Sequence, residues 1–407
     1  MLARRFGTAC AVTLLPLLLL FTLPAVVEAQ FTYTTNKGTI TITRYTGPGG
    51  AVAIPSTITG LPVTSIGTNA FYWYTTLTNV TVPNSVTNIG DAAFTECYSL
   101  TSVTIPNSVI HIGDGAFYAC MSLTNVAIPN SVTSIGNQAF YWCTALTNIT
   151  IGTNVTSIGA EAFSVTSLTS VTIPNKVTTI SESLFDNCYN LTSVAIPNGV
   201  TNIGVYAFYN CHNLASITIP NSVANIGDYA FYDCTSLTSV TIGTNVTSIA
   251  SYAFNNCPNL ISVTIPSSVR SIGVWAFANC IGVTGFYFTG NAPSVTYYAF
   301  AGDNEATLYY LPGTTGWDVT SIITGFPTAL WTPQVNTSDA RFGVRTNQFG
   351  FNFTWASGRT VVVQASTNLA NPTWIPLATN ILTSGSAYFS DPQWANYNAR
   401  FYRLRSP

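Results

Sequence analysis

Phenylalanine stands at positions 71, 94, 117, 140, 163, 185, 208, 231, 254, 277 and 300, and every step is 23 residues except one of 22. Around it the chain rewrites one frame, L-x-x-V-x-I-P-N-x-V-x-x-I-G-x-x-A-F-x-x-C-x-x, through about eleven units. A unit this short has too few apolar groups to bury its own face. The units must therefore stack, each offering the edge on which the next one pairs. Val103 and Ile105 alternate with Ser102 and Thr104, the pattern of a half-buried strand. Pro106 ends that strand, because it has no N–H for a ladder. Val109 and Ile112 make a second inward pair, Gly113 turns the chain, and Ala116 and Phe117 pack back into the interior. The spacing predicts a solenoid, a parallel β stack of about eleven 23-residue coils, roughly 50 Å long at ~4.8 Å per coil.

The ends depart from the frame, as caps should. Residues 30–50 carry FTYTTNKGTITITRYT and a Gly-Pro-Gly-Gly turn, and are expected to form an N-terminal β cap ahead of a solenoid over 51–312. Residues 313–340 read as a Pro-bearing linker. Residues 341–407 hold five strand-like runs, FGFNFTW, RTVVVQAST, TWIPLAT, SAYFSD and RFYRLRS, and predict a small antiparallel β-sandwich. At the other end, Arg4 and Arg5 precede an apolar run over 11–27 and the small-residue site Val27-Glu28-Ala29, the layout of a cleaved export signal over residues 1–29. An uncleaved anchor is the alternative. No second long apolar run follows, so no integral membrane segment is expected after cleavage.

The repeat frame resembles the BspA-like leucine-rich repeats of secreted and cell-surface proteins, over roughly residues 50–312. That resemblance implies a curved right-handed solenoid, an extracellular location, and adhesion or protein binding, and it implies no enzyme activity. Gly152 and Gly243 replace the proline of the frame, and Tyr74 and Thr166 replace its cysteine, which affects single coils. The C-terminal segment is similar to the fibronectin-type-III-like modules that end many exported bacterial proteins.

Only 6% of residues are charged and the formal net charge is −2, with no basic run, which argues against a nucleic-acid partner. Residues 71–300 hold Lys176 and Arg270 as their only cations. Eight cysteines, at 97, 120, 143, 188, 211, 234, 257 and 280, follow the repeat Phe by three and should form an interior column of free thiols. No C-x-x-C pair occurs, and neither a metal nor a cofactor is expected. His111 and His212 lie on distant coils and read as surface variants. Asp91 and Asp114 share an offset on adjacent coils, at a separation that would suit a retaining glycosidase pair, though repeat equivalence alone accounts for it. The outward strand positions, from Asn79-Thr81 to Ser262-Thr264, form an uncharged hydroxyl-rich sheet, open to solvation, to a docked peptide or glycan, or to ice.

The candidate binding residues are Tyr206, Tyr229, Tyr252, Trp275 and Tyr298, which stand two residues before the Phe on five successive coils. Such a column suits sugars or a protein hot spot, or else the rings serve only to shield the coil edge. The reading is an exported, non-enzymatic recognition or adhesion protein with a protein or glycan ligand. Its alternatives are a polysaccharide-acting enzyme using Asp91 and Asp114 and a structural or ice-interacting Ser/Thr solenoid. The mature chain is predicted to begin at Gln30. N-terminal sequencing of exported protein checks this, and a product starting at Met1 would refute it.

Overall fold

A computed structural model describes residues 29–317 and 326–406. The export-signal expectation, over residues 1–29, falls on residues 1–28 outside the described residues and reaches them only at Ala29. The chain divides into two compact units, Met1–Leu168 and Thr169–Pro407. The division falls beside the one coil that is a residue short, between Phe163 and Leu168. Each unit is a β-solenoid of the predicted coils, and the only helical element among the described residues is the 3-10 turn Trp394–Asn396.

In the first unit the long strands stack as Gly50–Ala53, Leu77–Thr81 and Ser102–Thr104, with Asn125–Ala127 pairing Asn148–Thr150. Pairing is parallel and in register: Asn79 faces Ser102, Val80 faces Val103, Thr81 faces Thr104. A second sheet runs Phe31–Asn36, Thr39–Tyr45, Leu61–Ile66, Asn88–Ile89, His111–Ile112, Ser134–Ile135 and Ser157–Ile158. Residues 31–45 form a β-hairpin, turned through Lys37 (φ 49°) and Gly38 (φ 80°), the positive-φ pair that a two-residue loop needs. Its Tyr45 stands in for a repeat phenylalanine. The ring stacks on Phe71 at 5.2 Å, and its N–H donates to the Ala70 carbonyl at 2.8 Å.

The third side of the coil carries a ladder outside the regular strands. The N–H of Phe94 donates to the Ala116 carbonyl at 2.7 Å, and that of Phe117 to Ala139 at 2.8 Å. The intervening N–H groups close turns within the coil, as Cys97 does on Phe94. This alternation requires left-handed backbone two residues before and two after each Phe, as at Ala92 (φ 52°) and Glu96 (φ 60°). The repeat glycine answers a different demand: a Cβ on Gly136 would stand 2.5 Å from the Asp114 backbone nitrogen. Where Ala250 replaces that glycine, its bond to the coil before lengthens to 3.2 Å, against 2.9 Å at Gly136.

Side chains extend the ladders. Thr101 Oγ1 donates to the Thr78 carbonyl at 2.9 Å and Thr238 to that of Ala215 at 3.1 Å. On the short-strand side Thr156 bonds Thr133 and Thr247 bonds Ala224 in the same way. The Phe rings pile face to face through the core, Phe94 on Phe117 at 5.2 Å and Phe231 on Phe254 at 5.0 Å.

In the second unit one sheet runs from Ser216–Thr218 through Ser239–Thr241, Ser262–Ile265, Gly285–Phe288 and Thr307–Tyr310 to Thr328–Leu330. The stretch 313–340, expected as a linker, thus contributes a strand to the solenoid. It also gives Gln334–Asn336 to the C-terminal module. The five expected strands of that module are present, as Gln348–Thr354, Thr360–Ser366, Ile375–Ile381, Ser386–Asp391 and Phe401–Arg405. They form two antiparallel sheets around Phe351, Phe353, Trp355, Val361, Val363 and Phe389, and Leu311 of the last coil joins that core.

Asp303 holds the cysteine position of the last coil. It is fully buried, and no side chain hydrogen-bonds its carboxylate; the Cys280 backbone only partly offsets that burial. Burial pushes its pKa from 3.8 up to about 8. Between those values the folded state holds a proton that the unfolded chain has lost. This group therefore stabilises least at high pH, and its contribution falls as pH rises from about 4 to about 8. Asp303→Cys is expected to match the parent's Tm near pH 4 and exceed it at pH 8, by several degrees for a gain of a few kcal/mol. Parallel pH profiles of Tm for the two proteins would refute this.

Candidate functional site

Each predicted ring grows from a left-handed residue: Tyr206 (φ 57°), Tyr229 (57°), Tyr252 (59°), Trp275 (56°) and Tyr298 (62°). An L residue is held there at a cost of about 1–2 kcal/mol, sustained by the surrounding ladder. The N–H of Tyr206 donates to Asp228, that of Tyr229 to Ser251 and that of Tyr252 to Val274, all at 2.9–3.0 Å. With the backbone fixed in this way, successive rings must lie over one another. Tyr206 and Tyr229 stack at 4.9 Å, Tyr229 and Tyr252 at 4.5 Å, Tyr252 and Trp275 at 6.4 Å, and Trp275 and Tyr298 at 5.1 Å.

The structure therefore brings all five predicted residues into one file. The faces of the inner rings are taken up by each other, so the file presents ring edges and polar tips outward. Tyr298, at the end, is 64% exposed and sits beside Tyr297 at 85%. A second file, Tyr209 on Tyr232 at 4.9 Å, packs edge-on against the first. Burial, then the neighbouring rings, raise the pKa of the Tyr229 hydroxyl above its ordinary value. In the first unit Tyr118 and Tyr141 stack in the same fashion, with Tyr72, Trp73 and Trp142 exposed nearby.

Asp91 and Asp114 have a structural occupation. Asp91 Oδ1 accepts the backbone N–H of Asp114 at 3.0 Å, and Asp114 Oδ1 accepts that of Asn137 at 2.7 Å. Asn137 continues the file onto Ala160, and Asp228 does the same for Ser251. Each carboxylate thus satisfies the N–H of its own repeat-mate one coil on. His111 pairs with Ser134 at 2.7 Å on the same shallow groove. His212 lies 2.9 Å from Asp233 and packs on Tyr189, a pair that its reading as a lone surface variant missed. Among the described residues no three His, Cys, Asp or Glu side chains gather as a metal would require.

The eight repeat cysteines form no disulfides and lie within the core. Each has a defined partner where the contacts are described: Cys97 donates to the Phe71 carbonyl, Cys120 to Phe94 and Cys211 to Phe185, all at 3.2 Å. Burial pushes Cys97 and Cys143 up to about 12, so the nucleophilic thiolate is scarce at neutral pH.

One further site escaped sequence reasoning. At the end of the long-strand sheet of the second unit, Tyr287, Tyr309 and Trp331 interrupt the Ser/Thr face and line a cleft. The replacement of the outward serine by Gly285 and of the outward threonine by Tyr287 was the visible signal.

Coils that pair in parallel and in register, with an apolar strand and a returning Ala-Phe in each, define a leucine-rich-repeat solenoid. The sequence matches the BspA type leucine rich repeat region (six copies) over residues 64–192 and 178–307, more than half of the chain, and the protein belongs to that family. Among solved structures it is similar to the leucine-rich repeat protein TpLRR of T. pallidum, with 36% identity over 46% of this chain and 88% of that one at a TM-score of 0.45. It is similar also to a leucine rich cell surface protein of Faecalibacterium prausnitzii A2-165, with 29% identity, 73% and 97% coverage and a TM-score of 0.43. The pneumococcal vaccine antigen PcpA is 16% identical over 74% of this chain and 97% of its own, at a TM-score of 0.49. No curated protein matches. Among the described residues no helix is long and apolar enough to cross a membrane.

The thiol column yields a direct test. Native protein treated with a maleimide at pH 7 is expected to label slowly, and denatured, unreduced protein to show all eight repeat thiols. Fast native labelling, or a deficit of thiols after denaturation, would contradict the buried free column.

Proposed function

We propose that the protein is an exported, non-enzymatic recognition protein of the cell surface, engaging a protein or glycan ligand through its repeats. The observation that carries this reading is the tyrosine-rich edge of the second unit. Five rings in one file, four of them half-buried and the last, Tyr298, open beside Tyr297, form a ridge of ring edges and polar tips. Such a ridge joins contact area to hydrogen bonding at a small loss of side-chain entropy, the combination that recognition surfaces favour. Membership of a family with a cell-surface relative supports the location. The engagement of Asp91 and Asp114 with backbone N–H groups supports a role without catalysis. The C-terminal sandwich serves attachment or spacing in this reading.

The test is a binding screen of the mature chain against extracellular-matrix proteins and glycans, with turnover followed on the same glycans. Binding without turnover is expected. The double variant Tyr252→Ser/Trp275→Ser should weaken binding at least ~30-fold, if each ring contributes as an ordinary hot-spot residue. Asn125 and Asn148 variants on the strand face should bind as the parent does. The reverse pattern would move the site to the hydroxyl sheet. Indifference to both would direct the search to Trp374 and Trp394 of the C-terminal module, since Trp355 lies in its core.

A further inference from the structure

The outward face of the long-strand sheet in the second unit changes character towards its C-terminal end. Ser216 with Thr218, Ser239 with Thr241 and Ser262 with Thr264 present two small hydroxyls per coil. The next two coils present Gly285 with Tyr287 and Thr307 with Tyr309. Gly285 lets the Tyr287 ring lie across the sheet: a Cβ at that position would stand 3.0 Å from two ring carbons and the hydroxyl oxygen of Tyr287. Tyr309 stacks on Tyr287 at 4.9 Å and 8°, and Trp331 closes against Tyr287 at 4.9 Å and 54°.

Trp331 is fixed in place at its backbone. Its N–H donates to the Tyr310 carbonyl at 2.7 Å, and its carbonyl accepts the indole N–H of the buried Trp355 at 2.8 Å. Around these rings stand Ser262, Thr264, Thr332, Gln334 and Thr354, and the cleft they line holds about 550 Å³. That volume lies within the usual range of small-ligand sites. No charged side chain is among the described residues that line it.

We propose that this cleft binds a neutral oligosaccharide. Aromatic rings offer apolar faces and edges to the C–H surfaces of a pyranose. The hydroxyls and the carboxamide around them supply both donors and acceptors, which sugar hydroxyls need and which an apolar ligand would leave unpaired. Without a counter-charge, an acidic or sulfated sugar or a charged peptide would lose solvation with no return. The inference rests on the recognition reading but not on the tyrosine file, whose residues stand two before the repeat Phe and not on the strand face.

The mature chain titrated with cellohexaose, mannohexaose, xylohexaose and chitohexaose, followed by calorimetry and tryptophan fluorescence, tests this. Hexagalacturonate and a heparin hexasaccharide serve as charged comparators. At least one neutral hexasaccharide is expected to bind saturably and shift the tryptophan emission, and neither comparator to do so. Tyr309→Ala should weaken binding about 10-fold or more, as loss of one hot-spot ring does. Gly285→Ser removes no group and yet should also weaken it, by displacing Tyr287. Thr264→Lys is exposed and clear of the core, so it blocks the cleft in a folded protein and should weaken binding even if Tyr309→Ala fails to fold. Asn148→Ala, on the strand face of the first unit and outside the lining of the cleft, should leave neutral-sugar affinity unchanged. The proposal is overturned if no neutral hexasaccharide binds, if the charged ones bind equally well, or if binding survives both Thr264→Lys and Gly285→Ser. Binding lost only in the Tyr252/Trp275 variant would overturn the cleft while sparing the tyrosine file.

Discussion

In a parallel stack held in register, the nearest neighbour of each side chain is its own counterpart one coil away, about 5 Å distant. Everything distinctive about this chain follows from that constraint. Two like charges at such a spacing repel, so a charged residue repeated in every coil would set a row of repulsions along the surface. A residue that both donates and accepts, or a flat ring that stacks, has no such difficulty. Hence a chain with only 6% charged residues, whose polar positions are filled by Thr, Ser and Asn. Thr101 over Thr78 and Thr156 over Thr133 use the spacing for hydroxyl-to-carbonyl bonds. Asp91 and Asp114 use it to accept a backbone N–H from the coil that follows. Cys120 and Cys211 use it to give a weak S–H bond to the Phe carbonyl of the coil before.

Departures from the frame gain meaning against this regularity. Tyr45 closes the phenylalanine stack of the first unit, with a ring of the right shape and a hydroxyl that meets Gln30 near the surface. Asp303 does the opposite at the last coil, placing a buried carboxyl with no side-chain partner where a thiol belongs. Gly285 vacates a serine position so that a tyrosine may occupy the space. The buried Arg400–Asp391 pair, with Tyr402 also bonded to Asp391, belongs to another kind of structure altogether. The C-terminal module is a sandwich whose parts occur once, so charges can be paired there without being repeated.

The same regularity shapes the surfaces proposed for recognition. A solenoid offers rows, and a row of identical small hydroxyls distinguishes little. Specificity has to come from side chains with more area or from places where the row is broken. The tyrosine file is the first kind, and the cleft at Tyr287, Tyr309 and Trp331 is the second.

The 23-residue recurrence by itself determined the coils, their parallel pairing, the inward Phe and Cys and the outward Ser and Thr, because each is a local pattern multiplied by stacking. The hairpin around Lys37-Gly38 and the five main strands of the C-terminal module were equally legible, since turn residues and alternation are local signals. The constant offset also placed Tyr206 to Tyr298 in one file. Only the tertiary structure decided what that file presents, because the left-handed backbone at each ring turns the faces towards one another and leaves edges outside. It also decided that Thr328–Leu330 adds to the solenoid sheet and that Trp331 meets Tyr287 across it. Those contacts join segments with no common period, and their energy comes from shapes that meet only once the chain has folded.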